Sequence, residues 1–160
     1  MTTRHKGESK RDQSCRGLTL LEVVFAAGVL VLTLTGLMGL LLACFAMNEQ
    51  ARSMTLAMSS AELHLERVRN TVFDNIQTQF DGSRFDVPGL SPGDSEGSIT
   101  VTPLNAELLE VRVAISWRGK GGRIYGEDLN LDGVLQAAED SNLNGVLDSP
   151  VQLTTLVTRP

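Results

Sequence analysis

From Val23 to Met47 the chain carries no charged side chain, and Thr33 and Thr35 are its main polar interruptions. That run of 25 residues is long enough, at about 1.5 Å rise per residue, to span roughly 30 Å of hydrocarbon with some tilt. A cleaved secretory signal is the simplest reading of an apolar segment near an N-terminus. This run is too long for an ordinary signal core, however, and no Ala-x-Ala site follows it. One residue before the run stands Glu22. A lone carboxylate at bilayer depth costs about 2.5–3.5 kcal/mol on insertion scales, so Glu22 calls for a partner. A plain uncleaved anchor supplies none.

Charge is distributed unevenly about this segment. Arg4, Lys6, Lys10, Arg11 and Arg16 face only Glu8 and Asp12 within residues 1–17. Those five cations against two acids leave +3, so the formal charge of −5 conceals a remainder at −8. A basic leader before an apolar span follows the positive-inside rule, which puts the N-terminus in the cytoplasm and the body across the membrane. The acidic body argues against nucleic acid as a direct partner, because phosphate binding needs clustered Lys and Arg. Cys15 lies in the leader and Cys44 near the end of the apolar run, so neither can staple the soluble part. Cys15 also lacks the small apolar residues of a lipoprotein cleavage box.

The helical pattern continues past the apolar run. Met54, Met58, Ala61, Leu65, Val68, Val72 and Ile76 recur at steps of three and four, while Glu49, Arg52, Glu62, Glu66, Arg67 and Arg69 occupy other faces. The spacing predicts one helix from about Leu18 to Phe80, closed at Asp81-Gly82, where glycine suits a left-handed cap. Gly36 and Gly39 are either close-packing points or a weak spot in it. Residues 82–97 are rich in Gly, Pro, Ser and Asp and read as a loop. Ile99 and Val101 open a strand, with a turn expected near Pro103–Ala106. In the next strand Leu109, Val111, Val113, Ile115 and Trp117 share one face, and Glu110, Arg112, Ala114, Ser116 and Arg118 the other. Trp117 simply ends the buried row and reads as core. A third strand is expected at Val151–Thr158. The predicted fold is α+β, a long N-terminal helix packed on a small antiparallel sheet.

Residues 119–150 are too many for an idle hairpin connection, and they hold an internal repeat. Glu127-Asp128-Leu129-Asn130-Leu131-Asp132-Gly133-Val134-Leu135 returns twelve residues later as Glu139-Asp140-Ser141-Asn142-Leu143-Asn144-Gly145-Val146-Leu147. The first copy satisfies the calcium-loop pattern through Asp128, Asn130, Asp132, Gly133 and Glu139. Alternate side-chain oxygens converge on one cation, the Val134 carbonyl adds another oxygen, and Glu139 closes the shell. The second copy keeps Asp140, Asn142 and Asn144, but Val151 stands where the closing acid belongs, leaving Asp148 as a substitute of different geometry. The flanks, Gly121-Gly122 and Ser149-Pro150, are not long amphipathic helices, so the expectation is a stiffening calcium loop rather than a sensing helix pair. No catalytic constellation accompanies it. His5 lies in the leader, His64 stands alone on the helix as a surface or packing residue, and Lys120-Gly121-Gly122 lacks phosphate-loop spacing. The chain reads as a non-enzyme.

The sequence Arg16-Gly17-Leu18-Thr19-Leu20-Leu21-Glu22, followed by an unbroken apolar segment, resembles the N-terminal signal of type IV prepilins and type II secretion pseudopilins. The resemblance implies that prepilin peptidase cuts after Gly17 and methylates Leu18. It implies too that Glu22, fifth in the mature chain, pairs with the terminal amine of a neighbouring subunit. In this reading residues 1–17 are the leader, 18–47 the transmembrane and assembly half of the helix, and 48–81 its soluble half. Residues 82–160 form the β domain, with the calcium-like loop at 119–150. Leu18 replaces the commoner phenylalanine, Gly39 lies where many pilins have a kinking proline, and a soluble-domain cysteine pair is missing. Ile115-Ser116-Trp117 and Leu153-Thr154-Thr155 resemble segments of the I/V subgroup of minor pseudopilins and minor pilins. The implied function is a minor pseudopilin: a single-pass inner-membrane protein with a periplasmic C-terminal domain, drawn into a filament with other pilin-type subunits. A minor type IV pilin and a calcium-binding membrane-anchored sensor or adhesion module are the alternatives.

Overall fold

A computed structural model describes residues 19–159 of the chain. Two helices, α1 (Leu20–Arg69) and α2 (Phe73–Phe80), precede five strands: β1 (Ser83–Phe85), β2 (Ser95–Asn105), β3 (Leu108–Arg118), β4 (Ile124–Tyr125) and β5 (Val151–Thr158). The chain divides into two units, one up to Ala43 and one from Cys44 onward.

The first unit is the apolar part of α1. Its side chains are exposed, Leu20 at 86%, Phe25 at 73% and Leu32 at 74%. By length and composition it is apolar enough to cross a membrane. Its two threonines fit that role, because Thr33 Oγ1 donates to the Leu30 carbonyl and Thr35 Oγ1 to the Val31 carbonyl, each at 2.8 Å. Hydroxyls satisfied within their own helix carry less desolvation penalty into hydrocarbon. The helix runs through Gly36 and Gly39 without interruption, and a Cβ at either would meet nothing within 4 Å.

In the second unit α1 presents Ser53, Ala57, Ser60, Ala61, Leu65 and Val68 to the core. This corrects the predicted stripe at Met54 and Val72, which are 42% and 68% exposed. The real face begins with small residues, whose short side chains leave room for other groups against the helix. A reading weighted toward large apolar side chains missed them. The single helix predicted to Phe80 is also corrected. It stops at Arg69, and Val72 is extended, with φ −61° and ψ 134°. Asn70, Thr71 and Val72 are weak helix formers. The freed carbonyls are taken locally: the Thr71 amide donates to Val68 at 3.0 Å, and its hydroxyl to Arg67 at 2.8 Å. α2 then restarts in a direction that buries Ile76 completely. It ends where expected, with Gly82 at φ +68°. Asp81 Oδ1 accepts the Val101 amide at 2.9 Å and ties this end to β2.

The sheet runs β1-β2-β3 with every neighbour antiparallel, and both β4 and β5 pair with β3. Its helix-facing row is the predicted one: Leu109, Val111, Val113, Ile115 and Trp117 are each at most 5% exposed. Fully burying one such aliphatic side chain stabilises the fold by roughly 1.5–3 kcal/mol. The segment read as a loop at 82–97 is partly strand, because β1 and the start of β2 lie in it. Pro103 is inside β2 opposite Leu109, beside a register shift, so the turn falls later, between Asn105 and Leu108. Asn105 Oδ1 accepts the Glu107 amide there at 2.9 Å. Trp117 stacks on Tyr125 with centroids 5.5 Å apart, and His64 stacks on Phe85 at 3.6 Å as a packing residue. Burial, then the nearby Arg67 charge, pushes the His64 pKa below its ordinary value.

The outer face of β3 is not uniformly polar. Ala114 is 3% exposed and Ser116 is 0% exposed, because part of the 119–150 segment folds back onto it. Gly126 lies so close that a Cβ would stand 2.1 Å from Ser116 Oγ, and Ser149 Oγ donates to the Ile115 carbonyl. The long connection is therefore a layer of the domain rather than a free excursion.

Candidate functional site

The repeat folds as two loops with matching backbones. Leu131 and Leu143 hold φ of +57° and +58°, and Gly133 and Gly145 hold +71° and +72°. Asp128 accepts the Asp132 amide at 3.0 Å and the Gly133 amide at 2.7 Å. Asp140 takes the Asn144 and Gly145 amides at 3.0 and 2.9 Å in the same way. Asn130 and Asn142 each accept the amide two residues on, and Asp132 and Asn144 repeat the pattern with Val134 and Val146. These are the local turns that Asp and Asn form with backbone two residues ahead, set here in register twice.

Closure of the two loops is reciprocal. Glu139 is 7% exposed and accepts the Leu129, Asn130 and Gln136 amides at 3.0, 3.3 and 3.3 Å. In the second loop the matching positions are served by Glu127, which accepts Ser141 Oγ at 2.5 Å and the Asp148 amide at 3.2 Å. Each loop is thus fastened by the glutamate that immediately precedes the other loop's first aspartate. Sequence reasoning missed Glu127, although the signal was present: the repeat begins with Glu-Asp in both copies. Asp148 does turn toward the second loop, accepting Asn142 and Asn144 amide groups at 2.7 Å each. Val151 supplies no acid because it is already committed to the core, fully buried opposite Ile115.

The first loop is an electrostatically crowded place. Asp128 is 0% exposed. Burial first, and then the charges of Asp132 and Glu139, push its carboxyl pKa up, against the opposing pull of the Gly133 and Asp132 amides. Glu96 on β2 is raised by burial and by Asp86, Asp128 and Asp132, with Arg84 opposing. Arg84 and Glu96 both pack on Gly133, where a Cβ would meet them at 3.0–3.3 Å. Asp132 is held below the usual carboxylate range chiefly by the Val134 amide. Neither Glu96 nor Arg84 was anticipated, since nothing in their spacing links β1 and β2 to the loop.

For a hard divalent cation the chemistry of this donor set fits. Calcium takes six to eight oxygen ligands, and a carboxylate offers about four acceptor positions, of which Asp128 commits two to backbone. Asp128, Asn130, Asp132, the Val134 carbonyl and Glu139 are the groups that would hold it, offsetting the carboxylate repulsion. Among the described residues, no three His, Cys, Asp or Glu side chains are gathered as a cation cage; the carboxylate oxygens accept from backbone amides and, at Asp132, from the Asn130 and Gln136 side chains as well.

The other predicted residue within the described chain is Glu22, in the first turn of α1. Its amide donates to the Thr19 carbonyl at 3.0 Å and lies 3.3 Å from Thr19 Oγ1. Thr19-Leu20-Leu21-Glu22 has the spacing of a helix-capping box, and an acid in the first turn also complements the helix dipole. Sequence reasoning missed this local role. The Glu22 side chain is exposed, as are its neighbours. Gly17 and Leu18, the predicted processing residues, lie outside the described residues. No family model matches the chain, and no curated protein or solved structure matches it.

Proposed function

We propose that the chain is a minor pseudopilin, a structural subunit of a type II secretion pseudopilus. The observation that carries this reading is α1 itself. One uninterrupted helix starts at Thr19-Leu20-Leu21-Glu22, exposes apolar side chains as far as Met47, and then supplies the buried face of a small α+β domain. Prepilin peptidase cuts after Gly17 and methylates Leu18. The helix holds the precursor in the inner membrane with its C-terminal domain periplasmic, and later packs among other pilin-type subunits. A carboxylate buried in such a bundle is expensive unless it is paired, and the amine of a neighbouring Leu18 is the pairing group for Glu22. Calcium at Asp128, Asn130, Asp132, Val134 and Glu139 stiffens the 119–150 connection, with a second ion at Asp140, Asn142, Asn144 and Asp148. The subunit carries out no catalysis.

The small body, whose free Cys44 has no disulfide partner among the described residues, favours the secretion filament over a minor type IV pilin of a surface or DNA-uptake pilus. One observation favours the membrane-anchored calcium module instead. An acid in the first turn of α1 complements the helix dipole, a role for Glu22 that any anchored helix would share. Replacing Glu22 by Val separates the two. The Glu22→Val precursor inserts in the membrane as well as the native chain but is not recovered in sheared filaments. Normal incorporation of that variant would refute the pairing role.

A further inference from the structure

The β3–β4 hairpin ends in Gly119-Lys120-Gly121-Gly122-Arg123, a segment with no role in the loop chemistry or in the core. We propose that this tip is a membrane-surface contact that docks on anionic phospholipid headgroups beside the point where α1 leaves the bilayer. The inference rests on the reading of the apolar part of α1 as a membrane span.

Its position comes from an ion pair. Lys120 Nζ lies 3.4 Å from Glu49 Oε2, and Glu49 stands two residues after Met47, where the uncharged run ends. Phe45 and Met47, just before it, are 66% and 70% exposed. The tip is thus held against α1 at the level where apolar surface gives way to polar. Pairing of Trp117 with Tyr125 and Arg118 with Ile124 fixes its base, and the Gly119 amide donates to the Arg123 carbonyl at 2.8 Å. Gly121 and Gly122, at φ +88° and +81°, turn the chain without adding side chains that would hold a surface away.

Its charge runs against that of the domain. Arg118, Lys120 and Arg123 lie at or beside the tip, and Arg52 joins them through Glu49, 3.7 Å away. Among the described residues, the acids paired with these four cations are Glu49 and Asp94, the latter 3.6 Å from Arg118. A net positive cluster therefore sits at the span's end of an otherwise acidic body. Lys120 keeps 78% of its side chain exposed, and the Arg123 guanidinium lies 5.5 Å above the Tyr125 ring. Basic groups beside a span are drawn to the negative potential of anionic lipid within about a Debye length. Continuity with the span favours lipid over an acidic protein partner.

The test uses the full chain reconstituted in phosphatidylcholine vesicles with and without about a third phosphatidylglycerol, read by amide hydrogen exchange. The expected result is that exchange at residues 119–123 slows about fivefold or more in the anionic vesicles. Lys120→Gln/Arg123→Gln should abolish the slowing, as should high salt. That variant spares the Arg118–Asp94 pair, and unchanged protection of residues 109–115 verifies its fold. Slow exchange at residues 23–43 in both lipids, with no lipid dependence at the tip, would overturn the headgroup contact alone. Fast exchange at residues 23–43 would overturn the membrane span and the contact with it.

Discussion

Reciprocal closure of the two loops makes unequal demands on its two glutamates, and that inequality can be measured. Glu139→Ala strips acceptors from three backbone amides, at 3.0, 3.3 and 3.3 Å, in a site only 7% exposed. Hydrogen bonds to a charged acceptor contribute about 1.5–3 kcal/mol and ordinary ones about 1 kcal/mol. Two of the three are long, and loss of the Glu139 charge relieves Asp128, so the net cost is about 2–3 kcal/mol. Glu127→Ala removes two contacts at a half-exposed position, for a cost of about 1 kcal/mol. Urea unfolding of the full chain in detergent micelles reports both, because the single tryptophan, Trp117, is 2% exposed and lies in the core of the soluble domain. The midpoint should fall at least twice as far for Glu139→Ala as for Glu127→Ala, with an unchanged slope. Calcium at about a hundredfold over its dissociation constant should stabilise the native chain by about 2.7 kcal/mol, and Asp128→Ala or Glu139→Ala should remove that gain. Equal effects of the two glutamate substitutions would refute the closure argument. A calcium shift that survives Asp128→Ala would refute the metal site.

Three further outcomes concern the loop layer, the strand beneath it and the turn at Gly93. Glu96 has its pKa raised by burial and by Asp86, Asp128 and Asp132, so the folded state binds its proton more tightly than the unfolded chain. Its ionisation therefore costs stability that is absent below the ordinary carboxylate value of 4.5 and grows as pH rises through the raised one. Glu96→Gln should match the native chain in acid and exceed it at neutral pH, as seen in parallel unfolding curves, with calcium narrowing the gap. Gly126→Ala forces a Cβ to 2.1 Å from Ser116 Oγ at φ +117° and should cost about 2 kcal/mol or more. Gly93→Ala, at φ +77° with nothing within 4 Å, isolates the backbone strain at about 1–2 kcal/mol.

What the sequence made legible was whatever repeats at short range. The alternation through Leu109–Trp117 specified the buried face of β3, the β-branched run at 151–158 specified β5, and the twelve-residue repeat specified two similarly built loops. The break at Asn70–Val72 was hidden because the apolar period resumes at Ile76 with only a small phase error. The small residues Ser53, Ala57 and Ser60 were hidden because burial of a short side chain leaves little hydrophobic signal. Burial of Ser116 and the raised Glu96 depend on how residues 119–150 fold back over the sheet. That is a long-range contact which no local period encodes. Glu127 lies between these cases. Its partner in the repeat was visible, but its exchange of loops appears only once both copies are placed side by side.

In the proposed function the chain is processed before it is assembled. The most direct measurement is the intact mass of the protein extracted from membranes. A chain that begins at Leu18 and is heavier by one methyl group is the predicted result, because cleavage after Gly17 and methylation of the new amine both leave their mark on that mass. A full-length chain still bearing residues 1–17, with no added methyl, would contradict the account and leave an anchored calcium-loop protein in its place.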